Sequence, residues 1–80
     1  MPEEELFKTE ERVTRTEIAG VLRDAADQIE SGDVQLVGNT TEQTVTVPES
    51  PRFEVELERL TDSETGDQRY ELEYEIGWTK

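Results

Sequence analysis

The stretch Tyr70, Glu71, Leu72, Glu73, Tyr74, Glu75, Ile76, Gly77, Trp78 places an apolar residue at every second position. Side chains of a strand alternate between two faces, so Tyr70, Leu72, Tyr74, Ile76 and Trp78 share one face and Glu71, Glu73 and Glu75 share the other. Three of the five aromatic residues of the chain lie in this stretch. Aromatic side chains bring the largest buried areas, so the core is expected to centre on this strand. Trp78 has two readings. A strand aromatic on a dry face is first of all core; near the end of the strand it is alternatively an anchor for a partner, as tryptophans at interface hot spots are.

The same pattern occurs once more. Phe53, Val55 and Leu57 alternate with Glu54, Glu56 and Glu58, and the polar segment 61–68 links this run to the last. Two such runs joined by a short polar loop predict an antiparallel hairpin. With both apolar sets on one side, Glu54, Glu56 and Glu58 face some register of Glu71, Glu73 and Glu75. Cross-strand neighbours lie roughly 5 Å apart, and like charges at that distance are unfavourable without abundant cations or a basic partner. Arg52, Arg59 and Arg69 flank the rows and relieve part of this. The same charges discourage sheet-to-sheet aggregation, which is a sufficient reason for them without any ligand.

Upstream, residues 34–37 and 43–47 are two short strands joined by Gly38, Asn39, Thr40 and Thr41. Pro48 and Pro51 lack the amide that ladder pairing needs and so delimit the neighbouring strands. Thr14, Arg15, Thr16, Glu17 matches a capping box, with Val13 and Ile18 as its hydrophobic staple. Ile18, Leu22, Ala25 and Ile29 recur at helical spacing, Val21 and Ala26 widen the stripe, and Gly32 is placed to stop a helix running over about 15–31. Arg23, Asp24, Asp27, Gln28 and Glu30 read as its solvated face. Leu6, Phe7 and Thr9 suggest a first strand over residues 6–12, with either Leu6 or Phe7 inward. The acidic residues 1–4 are expected to be disordered. The fold class this predicts is α+β: one domain over 1–80, with a single helix packed on one face of an antiparallel sheet of about five strands, in the order β-α-β-β-β-β.

Composition narrows function. Leu, Ile, Val and Phe supply 18 of 80 residues, so folding depends on their placement on defined faces rather than on their number. There are 21 acidic residues against 8 basic ones, for a net charge of -13, and only Lys8 and Lys80 are lysines. Such a charge repels nucleic acid and anionic membrane. Acidity spread over every segment with scarce lysine points to a salt-loving source, in preference to a nucleic-acid mimic. No apolar run approaches the roughly 18 residues of a membrane span, and the start is acidic where a signal peptide is basic. A soluble cytoplasmic protein is expected.

Catalytic chemistry is hard to assemble. Histidine and cysteine are both absent, which removes the usual neutral-pH base, the best nucleophile and the thiolate metal ligand. There is no Gly-rich phosphate loop or GxSxG elbow. The run Asp62, Ser63, Glu64, Thr65, Gly66, Asp67 begins like a calcium loop. It fails as one, because glycine holds the fifth place instead of the sixth and strands flank it instead of helices. No catalytic residue, cofactor or metal is assigned; the acidic face is expected to attract cations only non-specifically. The candidate interaction residues are Trp78, Glu54, Glu56, Glu58, Glu71, Glu73 and Glu75.

Four sequence blocks carry a family resemblance. They are Arg15, Thr16, Glu17, Ile18, Ala19 with Ala26, Asp27, Gln28, Ile29, Glu30, Ser31, Gly32; Phe53, Glu54, Val55, Glu56; and Glu73, Tyr74, Glu75, Ile76, Gly77, Trp78. The pattern resembles the amphi-Trp domain family of small archaeal and bacterial proteins over most of the chain. The resemblance implies the element order and the weight on Trp78, agrees with a haloarchaeal source and implies no reaction. The expected function is a protein-interaction module that binds a protein partner or itself. The alternatives are a binder of a basic partner, or nucleic-acid mimic, and thirdly an enzyme using a carboxylate base.

Overall fold

A computed structural model describes residues 2–80. The element order is α1 (Arg15–Ser31), β1 (Asp33–Val37), β2 (Glu42–Thr46), β3 (Arg52–Thr61) and β4 (Gln68–Gly77). The class is α+β with antiparallel pairing, but in place of one sheet of about five strands, four strands form two separate two-stranded sheets, β1 with β2 and β3 with β4. The chain divides into two compact units, Met1–Glu49 and Ser50–Lys80, with the Pro48 to Pro51 connection spanning the boundary.

In the first unit, α1 begins and ends where the sequence dictates. Thr14 is the N-cap in extended conformation, and its hydroxyl accepts the Glu17 amide at 3.2 Å, which is the Thr14 half of the capping box. Gly32 closes the helix at φ 106°, where a side chain would be strained, and its amide donates to the carbonyls of Gln28 and Ile29. The helix packs against β1. Val34 of that strand, 8% exposed, is the one buried apolar residue among those described, and Ala25, Ile29 and Leu36 are half-buried.

Gln28 departs from the expected solvated face: it is half-buried and its Oε1 accepts the Gln35 amide of β1 at 2.7 Å. The side-chain carbonyl thereby satisfies a β1 backbone donor. β1 and β2 pair from Asp33 opposite Thr46 to Val37 opposite Glu42, the Thr46 hydroxyl donating to Asp33 at 2.8 Å and the Gln35 amide group donating to Glu42.

The expected strand at residues 6–12 does not form; that segment has no regular secondary structure. It lacks a strict apolar alternation, so pairing it would bury no consistent face. Of the two candidates for the inward residue, Phe7 is half-buried whereas Leu6 stays exposed. A Cβ on Gly38 would stand 3.4 Å from the Phe7 ring, so the ring lies over the β1–β2 turn within van der Waals reach of Gly38. An open groove of about 760 Å³ runs between residues 5–11 and 37–41. Of the residues expected to be disordered, Met1 lies outside those described, and 2–4 are exposed without regular structure.

The second unit is the β3–β4 hairpin, ten residues per strand, paired from Arg52 opposite Gly77 to Thr61 opposite Gln68. An Asx turn shapes the loop that resembled a calcium site. Asp62 Oδ1 accepts the amides of Glu64 at 2.8 Å and Thr65 at 3.2 Å, the Gly66 amide returns to the Asp62 carbonyl, and Gly66 takes φ 76°. Those two amides hold the Asp62 carboxyl below its ordinary pKa of 3.8.

The expectation that the core centres on the last strand is corrected. Every residue of β3 is exposed, and in β4 only Glu71, Ile76 and Gly77 are half-buried. A two-stranded ribbon has no second layer of its own to cover its apolar face.

Candidate interaction face on the β3–β4 hairpin

The register of the hairpin sorts its side chains into two faces. Phe53 stands opposite Ile76, Val55 opposite Tyr74, Leu57 opposite Leu72 and Arg59 opposite Tyr70. These pairs share the apolar face, on which the Phe53 and Tyr74 rings stack with centroids 6.2 Å apart and planes 13° from parallel. The other face pairs Glu54 with Glu75, Glu56 with Glu73 and Glu58 with Glu71. The register left open by the sequence thus opposes the glutamates directly rather than offsetting them.

Two arginines relieve the ends of this acidic ladder. Arg52 reaches Glu75 at 3.4 Å and Glu54 at 3.8 Å, and Arg69 reaches Glu71 at 3.3 Å. Both arginines are well exposed and even the half-buried Glu71 keeps 40% of its side chain in solvent, so each pair contributes little. A Cβ on Gly77 would meet the Arg52 guanidinium at 3.2 Å. The space at Gly77, expected to admit another backbone, is therefore used by a side chain of the partner strand. Arg59 departs from the expected role: it sits on the apolar face and forms no ion pair among the described residues. Leu60 takes its place on the acidic face, opposite Arg69.

The middle of the ladder has no cation. Glu58, two positions along the strand, shares a hydrogen bond with Glu56 and repels its charge, and with Glu73 and Glu54 adding to the repulsion the Glu56 carboxyl is held above its ordinary pKa of 4.5. The folded state then binds more proton than the unfolded one between 4.5 and the raised value. Stability falls as pH rises through that window, and the penalty is fully present above it. Asp62 works in the opposite sense: it stabilises above 3.8, and its contribution is lost as pH falls through its lowered pKa. In low salt, the unfolding midpoint is expected to rise as pH is lowered from about 7 towards the ordinary carboxylate range. Glu56→Gln should raise the midpoint at neutral pH and flatten that slope; a pH profile identical to the parent's would show that the ladder is not under strain.

Trp78 follows β4 directly and lies one residue outside it, at 40% exposure, instead of forming the last residue of the strand. It is less exposed than Phe53, Val55, Leu57, Tyr70, Leu72 and Tyr74, and is neither a buried core residue nor a free one. The sequence points to the glutamates and Trp78 as interaction residues, whereas its alternation places the six exposed apolar residues in a core and Arg59 beside the glutamate rows; only the register puts Arg59 on the apolar face. Among the described residues, no group of three or more carboxylates is disposed to hold a metal ion.

The fold and this hairpin define a class: a small, strongly acidic α+β chain whose long terminal ribbon is amphipathic and runs into a single tryptophan. The chain belongs to the Amphi-Trp domain family, whose model matches residues 1–80. No curated protein and no solved structure matches it.

Proposed function

We propose that this protein is a protein-interaction module of a salt-rich environment, and that the apolar face of the β3–β4 hairpin is its contact surface. The observation that carries this reading is the exposure of six large apolar side chains, between 53% and 69%, on one face of one regular hairpin. Contiguous apolar surface of that extent marks a place where another molecule binds. Concentrated salt strengthens apolar burial while it screens the acidic ladder, so both faces of the hairpin suit the same medium.

A specific observation also favours a second reading: three directly opposed glutamate pairs form a dense negative strip that suits a basic partner. The two are separated by capture on the immobilised chain in about 2 M salt. Binding through the apolar face persists there, survives Glu73→Gln and is lost with Leu72→Glu. Capture that disappears in salt and with Glu73→Gln, but withstands Leu72→Glu, would replace the first reading by the second.

A further inference from the structure

We infer that the occupant of the apolar hairpin face is a second copy of this chain, with the two hairpins packed face to face about a two-fold axis lying across their strands. This rests on the reading of that face as a contact surface and adds the partner.

Area is the first argument. The exposures of Phe53, Val55, Leu57, Tyr70, Leu72 and Tyr74, between 53% and 69%, amount to roughly 700 Å². One partner of a standard stable interface contributes about 800 Å².

The second argument is self-complementarity, which an isologous dimer requires of a single surface. A two-fold axis across the strands reverses one hairpin against the other. It lays the Val55–Tyr74 row over the Leu57–Leu72 row of the second copy, so that a row with one aromatic meets a purely aliphatic one. It lays the Phe53–Ile76 row over the second copy's Arg59–Tyr70 row. Arg59 is the only cation on this face and has no ion pair among the described residues, and the symmetry brings it over a phenylalanine ring, where a guanidinium is favourably placed. Each apolar ribbon then supplies the layer that the other lacks.

Charge is the third. Net charge of -13 per copy opposes association, but this packing turns both glutamate ladders outward, away from the interface and from each other. The repulsion that remains acts across solvent and is screened by salt.

The test uses the full chain in about 2 M salt over roughly 1 to 200 µM, by sedimentation equilibrium. The chain has no cysteine, so Leu57→Cys introduces a unique thiol at the centre of the face. The expected result is a species of twice 9.2 kDa in which labelling of that thiol slows at least tenfold as the dimer fills. Arg59→Gln should weaken the dimer about tenfold, against no change for Arg23→Gln, which removes the same charge from α1.

A chain that stays monomeric with a fast-labelling thiol overturns the second copy as occupant and leaves the face open to a different protein. A monomer with a slow-labelling thiol overturns both this inference and the reading beneath it, because the face is then covered within one chain. A dimer whose labelling ignores concentration, or one that loses as much from Arg23→Gln as from Arg59→Gln, is built elsewhere and also overturns it.

Discussion

The unfolding midpoint of this protein is expected to rise steeply as chloride is raised from about 0.05 to 2 M, because the screening length falls from above about 10 Å to below about 3 Å over that range. The charges responsible are identified by the register. Glu54 faces Glu75, Glu56 faces Glu73 and Glu58 faces Glu71, and only the two ends of the ladder have an arginine within 4 Å. Net charge of -13 on 80 residues adds a diffuse self-repulsion to this local one. The stability that opposes them is small, on the order of 4 to 12 kcal/mol for a chain of this length, and a single packed apolar cluster around Val34 supplies only part of it. Two contributions to the salt effect are separable by ion type: screening depends on ionic strength alone, whereas sulfate strengthens apolar burial beyond chloride at equal ionic strength. A midpoint that stays flat across the range would contradict both the proposed adaptation to salt and the strain assigned to the ladder.

Trp78→Ala is the substitution with the second large effect, and its expected signature is divided between stability and association. Complete burial of a tryptophan would make its truncation cost roughly 3 to 5 kcal/mol. Trp78 is 40% exposed and lies just beyond the end of β4, so the loss of stability should fall below that range. Association should weaken about tenfold, since Trp78 follows β4 at the end where Phe53 and Ile76 pair and tryptophans are frequent interface anchors. Folding and association are linked when the partner binds only the folded chain, so both must be measured against protein concentration. A Trp78→Ala chain that loses the full range of about 3 to 5 kcal/mol, and whose folded fraction associates as tightly as the parent, would make Trp78 a core residue and remove it from the contact surface.

Local signals accounted for every element that forms. The helix bounds follow from Thr14 and Gly32, each fixed by hydrogen bonds to atoms within four residues along the chain. The long hairpin follows from two alternating runs and a loop with its own Asx turn, and the family match over residues 1–80 agrees with the blocks that suggested it. The strand assigned to residues 6–12 rested on residue type without periodicity, and it is the one assigned element that is absent.

What the sequence determined by itself was therefore which residues share a face: alternation sets Phe53, Val55 and Leu57 on one side of a ribbon and Glu54, Glu56 and Glu58 on the other whatever the ribbon packs against. Tertiary structure alone decided the direct opposition of the glutamates, the position of Arg59 opposite Tyr70 and the openness of the apolar face. The reason is physical. Periodicity is a property of one strand, whereas register and burial depend on a second surface, and an apolar face reads the same in the sequence whether its cover comes from the same chain or from another.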